Sequence, residues 1–211
     1  MKTLVLGAGN MGSAFVQQLH AAGHAVRVTA RNADKAAALA ARFPGVSAVA
    51  ADAGAAADAD VVILATSFAD AVPALRSLGS LTGKVVVDIS NPLTADYMGL
   101  TLGHTTSAAE EIAAALPQAQ IVKAFNTLFA QVLAGGADLG NGQTASVFVA
   151  SDSDPAKSTV SELARSMGFA VVDAGGLKNA RYLEPLAGLN IYLGYGAGLG
   201  TSMAPAWIHK A

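Results

Sequence analysis

A hydrophobic run, Lys2 to Leu6, opens directly into Gly7-Ala8-Gly9-Asn10-Met11-Gly12, and an alanine-rich stretch of helical length, Met11 to Ala22, follows. Glycines at the first, third and sixth places between a strand and a helix constrain this chain more than any other feature. Gly7 permits the tight turn, Gly9 lets a ligand approach the backbone, and Gly12 lets the helix pack close to the strand. The free N–H groups of the helix then point at whatever lies above the turn, where the helix dipole favours an anion. The pyrophosphate of a dinucleotide matches that description.

A second strand, Ala25 to Thr29, ends in Thr29-Ala30-Arg31-Asn32. Folds that take NAD usually place a carboxylate here for the ribose hydroxyls. This chain instead offers a threonine and then a guanidinium, which can clamp a 2′-phosphate through charge-assisted bonds, with Thr29 or Asn32 adding a neutral one. Asp34 lies beyond the strand end and reads as an acid in the first turn of the next helix. The expected coenzyme is NADP(H).

The rest of the chain keeps the alternation. Val46 to Ala50, Val61 to Ala65, Lys84 to Ile89 and Ile121 to Ala124 are apolar on both parities, as strands covered on both faces should be. Between them lie the helical segments Ala33 to Arg42, Ala69 to Leu78 and Ala108 to Leu116, with Asn32 as one cap and Ser107 with Glu110 in the spacing of a capping box. The fold class is α/β, a doubly wound, mainly parallel Rossmann sheet with a small C-terminal helical extension. A glycine-rich loop from Gly135 to Gly142, a strand at Thr144 to Ala150, a helix at Asp154 to Met167 and a strand at Ala170 to Asp173 are expected to extend the same sheet. The division predicted is residues 1–150 for the NADP-binding domain and 151–211 for a smaller region packed on it, serving dimerisation and the acceptor.

Ligands of such sheets lie beyond the carboxyl ends of the strands. Thr66-Ser67-Phe68, Ser90-Asn91-Pro92 and Ala124-Phe125-Asn126-Thr127 stand at three such ends and together form a candidate nicotinamide slot; Pro92 adds the option of a cis bond. No serine occupies a nucleophile elbow, and cysteine is absent. His20, His24, His104 and His209 are too far apart for a metal site, and Asp88 has no evident partner. Hydride transfer needs proximity, orientation and a dry site, with no protein nucleophile, so no catalytic residue and no metal are expected. The loop Gly79 to Lys84 is one residue short of a P-loop and runs into a strand, so it is set aside.

Only 13% of the 211 residues are charged, against 53% hydrophobic; about 25% charged is ordinary. Buried subunit contact, in a homodimer, is the expectation. A net charge of −2 without any basic run argues against nucleic acid and anionic lipid. The absence of cysteine and of an export signal before the first strand points to the cytoplasm. Pro185 to Ile208 carries no charge and is long enough to cross a bilayer, yet Asn190, Tyr192, Tyr195, Thr201, Ser202 and Pro205 interrupt it. A buried segment that roofs the redox site and packs against a second subunit is expected instead of a membrane helix.

With these residues in view, the chain resembles the NADPH-dependent F420 reductases of archaea and actinobacteria, and is similar to the cytoplasmic reductase domain of the STEAP metalloreductases. The resemblance runs nearly end to end, through the glycine turn, Thr29-Ala30-Arg31, Ile121 to Thr127, and Asp173-Ala174-Gly175-Gly176-Leu177-Lys178-Asn179-Ala180-Arg181, the family's DAGxLxNxR segment. It implies a dimer passing hydride between NADPH and a flavin-like ring, with Thr29 and Arg31 at the 2′-phosphate and Ser67, Phe68, Asn91 and Pro92 beside the nicotinamide. Asn126-Thr127 replaces a histidine-threonine pair of the archaeal form, and the strand-four turn lacks the family's proline and tryptophan, so FMN, FAD or another small-molecule acceptor stands beside F420. Two alternatives remain: an imine or β-hydroxyacid reductase, with Lys123 or Lys178 as its lysine, and an NADP-binding redox sensor without turnover.

A guanidinium bond to phosphate is worth about 1.5 to 3 kcal/mol, so NADPH is expected to bind about ten- to a hundredfold more tightly than NADH. Titrating both coenzymes into the wild type and Arg31→Ala checks it; equal affinities in the wild type would remove the NADP assignment.

Overall fold

Strands that are apolar on both parities must be covered on both sides, and the computed structural model, which describes residues 1–140 and 142–207, covers them with helices. Asn141, within the glycine-rich loop, and Ile208 and His209 lie outside the described residues. The chain runs β1 (Lys2–Leu6), α1 (Asn10–Ala21), β2 (Ala25–Thr29), α2 (Ala33–Ala40), β3 (Ser47–Ala48), β4 (Val61–Leu64), α3 (Phe68–Ser77), β5 (Val85–Asp88), α4 (Ala108–Ala115) and β6 (Gln120–Lys123). These six strands form one parallel sheet in the order β3-β2-β1-β4-β5-β6. The order reverses between β1 and β4, which is where a doubly wound sheet opens its crevice.

The caps act as their chemistry suggests. The Asn32 side chain accepts from the Lys35 N–H at 3.0 Å, and Ser107 accepts from the Glu110 N–H while donating to its carboxylate at 2.7 Å. β3 shrinks to two exposed residues because it is an edge strand with one neighbour. His20 packs its ring on Phe43, whereas His24 lies past the helix and bonds the amino terminus and Ser166. Lys84 of the set-aside loop donates to the carbonyls of Ala57 and Ala59.

After β6 the structure departs from the expected continuation. A short helix α5 (Ala130–Gly135) and a hairpin of β7 (Asp138–Gly140) with β8 (Gln143–Thr144) intervene before β9 (Ser146–Val149), α6 (Asp154–Ser166) and β10 (Ala170–Asp173). β9 and β10 pair in parallel as a sheet of their own, joined to the first by a single antiparallel bridge between Lys123 and Ala150. A ladder that meets its neighbour at one residue does not propagate, so the main sheet ends at β6. One apolar cluster nevertheless runs through both parts, from Val5, Phe15 and Val28 to Val147, Val160 and Phe169.

The last helix, α7 (Ala180–Ile191), continues into a wider helical turn over Tyr192–Gly196. The segment expected to be buried is only partly so. Ala187 and Asn190 are covered, but Leu189, Tyr192, Tyr195, Leu199 and Trp207 are each more than half exposed in the single chain. Among the described residues no helix is long and apolar enough to cross a membrane.

α7 is fixed to the sheet by charge. The Lys123 ammonium, fully buried at the end of β6, lies 2.6 Å from Asp88 of β5 and 2.9 Å from Glu184 of α7, and donates to the Ser90 carbonyl at 2.7 Å. Asp88 accepts from the Ser90 N–H, and Glu184 accepts from the first N–H groups of α4, at Ala108 and Ala109. Every charge in this cluster therefore has an opposite charge or a donor, which burial demands. Lys123→Met would leave two buried carboxylates facing each other, and is expected to destabilise the chain by about 3 to 5 kcal/mol in chemical denaturation. A loss under about 1 kcal/mol would mean that the cluster holds nothing together.

Candidate functional site

The crevice begins at the turn after β1. Gly7 has φ +128° and its place against the Ala65 carbonyl leaves no room for a side chain; Gly12 lies likewise against the carbonyl of Gly7. At Gly9 the opposite holds, since a Cβ there would stand in open space. Two glycines thus close the backbone on itself and the third leaves a cradle. No side chain caps α1, so its first N–H groups face that cradle unspent. The turn is tied down by the Gly7 N–H, which donates to the Thr29 carbonyl at 2.8 Å.

Three clefts succeed one another along the carboxyl edge of the sheet. The first, of about 690 Å³, lies between the glycine turn, Arg31 and the start of α3. A second, of about 830 Å³, shares Gly9, Thr66 and Ser67 with it and extends over Phe68, Ser90, Asn91 and Pro92. The third, of about 560 Å³, takes in Asn126, Thr127, Phe129 and, from α7 and its continuation, Asn190, Ile191 and Tyr195. The first two clefts meet at the glycine turn and the uncapped end of α1, and the second borders the third at Asn10, Met11, Ile89, Asn91 and Tyr97.

Of the residues singled out in the sequence, Gly7, Gly9, Asn10, Met11, Arg31, Thr66, Ser67, Phe68, Asn91, Pro92 and Asn126 line these clefts. Ala8, Gly12, Asn32 and Ala124 do not: Gly12 is a packing position, the Asn32 side chain is spent on its cap, and Ala124 is wholly buried. Thr29 is corrected most clearly. Its side chain is fully buried and its hydroxyl has no partner, so its contribution to the crevice is the carbonyl that holds the glycine turn. The peptide before Pro92 is trans, as are all the others described.

Arg31 stands at the open mouth of the first cleft with its side chain 93% exposed. Its guanidinium lies 3.7 Å from Asp70, a first-turn residue of α3 on the facing wall that also accepts from the Ser67 hydroxyl at 2.9 Å. This pairing was not legible in the sequence, because the two residues are 39 positions apart on different elements.

At the far end, Asn91 and Asn126 exchange bonds: the Asn91 amide donates to the Asn126 carbonyl at 2.9 Å, and the Asn126 amide donates to the Asn91 side-chain oxygen at 3.0 Å and to the Leu183 carbonyl. The chain reaches this geometry through Phe125, whose φ of +60° is unusual for an aromatic residue and turns its ring into the core against Phe15 and Phe169. Lys123 and Lys178, the candidate lysines, are both away from the clefts. Lys123 is locked in the buried cluster, and Lys178 borders a separate pocket with His104 and Arg181. Arg181 makes a two-pronged pair with Glu110, holding that carboxyl below its usual range. Asn179 closes the turn before α7 by donating to the Ala174 carbonyl.

A parallel sheet with an uncapped, glycine-opened helix at its switch point and a cation after β2 defines a Rossmann-type nucleotide-binding protein. The family model described as NADP oxidoreductase coenzyme F420-dependent matches residues 2–92. The F420-dependent NADP reductase of Methanothermobacter marburgensis is 31% identical, with 92% of each chain covered. A solved structure from Arthrobacter sp. FB24, assigned to the F420-dependent NADP reductases, superposes with a TM-score of 0.84 at 33% identity over 96% of both chains. Metalloreductase STEAP3 of Rattus norvegicus is 36% identical over 88% of this chain, which spans 36% of that protein's length. The chain belongs to the family of F420-dependent NADP reductases, a family of NADP-dependent oxidoreductases.

A carboxylate facing Arg31 would compete with any phosphate brought to that guanidinium. Asp70→Asn is expected to tighten NADPH binding about two- to fivefold, the range of an exposed ion pair, with NADH little affected. Isothermal titration reads this, and weaker NADPH binding in the variant would contradict it.

Proposed function

We propose that this chain is an NADPH-dependent reductase of a planar, flavin-like acceptor, either the deazaflavin F420 or a flavin such as FMN or FAD. The observation that carries this reading is the run of contiguous clefts, with a cation at one end and a space beyond Asn91 at the other. Arg31 takes the 2′-phosphate, the α1 N-terminus takes the pyrophosphate, and Thr66, Ser67, Asn91 and Pro92 border the nicotinamide. Bound there, NADPH would supply a hydride to the acceptor, which would take up one proton from solvent, leaving NADP⁺ and the two-electron-reduced ring.

The residues of the chain orient and exclude. The Asn91–Asn126 exchange holds the ends of β5 and β6 at one spacing, and the buried cluster behind it keeps α7 in place as the wall of the third cleft. Such positioning, without a general acid or base, is enough for hydride transfer between two bound rings. Residues 1–150 on this reading hold the coenzyme, while 151–211 serve the acceptor and the contact with a second copy. On this reading that copy covers Leu189, Tyr192, Leu199 and Trp207, large apolar side chains each more than half exposed in the single chain.

Anaerobic stopped-flow with NADPH and, separately, F420, FMN, FAD and a ferric chelate tests the proposal. Oxidation of NADPH with F420 or a flavin, well above the enzyme-free rate, is the expected result. Tight NADPH binding with no oxidation by any acceptor would favour a redox sensor and overturn the reductase.

A further inference from the structure

Resting on that reading, a hydride must pass from the second cleft to the third, and five of the described residues line both: Asn10, Met11, Ile89, Asn91 and Tyr97. Tyr97 is the one aromatic among them, and nothing in the sequence pattern drew attention to it. Its side chain is unpacked, with the residue 63% exposed, although it sits in a loop that is otherwise tightly bound.

That loop leaves β5 after Pro92 and returns at Thr101. An antiparallel bridge joins Leu93 to Leu100, and Thr101 donates to the Pro92 carbonyl through both its N–H and its hydroxyl. Inside it, the Thr94 and Tyr97 N–H groups donate to the Gly99 and Thr94 carbonyls, Gly99 donates to the Thr94 hydroxyl, and Asp96 accepts from Thr94 and from the Met98 N–H. The loop also docks across the third cleft, with Leu100 against Gly188 of α7 and Met98 against Gly196. At its tip Tyr97 adopts φ +63°, a left-handed conformation that aromatic residues rarely occupy. Bonds on either side thus hold an unfavourable backbone that presents a free ring at the border of the two clefts. Strain held in this way by its surroundings is characteristic of functional positions.

A planar acceptor laid on the nicotinamide has a second face, which water would otherwise cover. We infer that Tyr97 is the acceptor-positioning residue: its ring stacks on the outer face of a conjugated acceptor while the nicotinamide covers the inner one. The ligand class it selects is a flat π-system; a small aliphatic imine or carbonyl compound would gain nothing from it.

The test uses the full chain with F420 and with FMN as probes, reading acceptor KM, kcat and, by fluorescence titration, the Kd for NADPH. Tyr97→Gly, which suits the backbone at this position, and Tyr97→Ala are expected to raise the acceptor KM about tenfold, the usual loss on removing a stacking ring. Tyr97→Phe keeps it within about twofold, because the face and not the hydroxyl does the stacking. The Kd for NADPH should stay put in all three. An acceptor KM unchanged in Tyr97→Gly, or an NADPH Kd that rises in step with it, would overturn the inference while leaving the reductase reading intact. A wild-type chain that oxidises NADPH with neither probe, nor with FAD, would overturn both.

Discussion

One ammonium group between two carboxylates, all three out of reach of water, sets the relation between the sheet and the last helix. Lys123 ends β6, Asp88 ends β5, and Glu184 belongs to α7 while also taking the first N–H groups of α4. Four elements are therefore held by a cluster that tolerates no large displacement, since any charge left alone inside would cost several kcal/mol. The placement matters because Ser90, bonded by both Asp88 and Lys123, opens the turn that carries Asn91 and Pro92 into the crevice. The α7 wall of the third cleft and the turn that lines the second are thus positioned by the same interaction.

At the other end of the groove the electrostatics are loose. Arg31 and Asp70 face each other across open solvent, an arrangement that adds little to stability. Its consequence is availability: a guanidinium so exposed and so loosely paired is free to take a stronger anionic partner. The groove thus has fixed, buried charges behind one end and exposed, exchangeable ones at the other.

Asp173 to Arg181, a segment on which the resemblance to the family rested, lines none of the three clefts. Gly175 bonds Asp173, Asn179 closes the turn, Leu177 takes Asp152, and Arg181 clamps Glu110 at the start of α4. These bonds launch α7 from the end of β10 at a fixed angle. A segment can therefore matter to a cleft without lining it, by fixing the element that does.

The glycine turn, the alternation of strands and helices up to β6, the caps at Asn32 and Ser107 and the cation after β2 were all legible in the sequence, because each depends on residues within a few positions of one another. Glycine spacing, apolar parity and capping chemistry are local constraints, and so they determined the coenzyme end of this protein. Other features depended on residues far apart in the chain: Lys123 with Asp88 and Glu184, Arg31 with Asp70, Asn91 with Asn126, and Tyr97 at the border of two clefts. Thr29, which looked like a ligand by position, turned inward because strand register sets the face a side chain takes. The sequence by itself determined a glycine-turn βαβ unit of the kind NADP-dependent oxidoreductases carry; only the tertiary structure decided how the clefts beyond it are walled, because they are bounded by groups that meet only when the whole chain has folded.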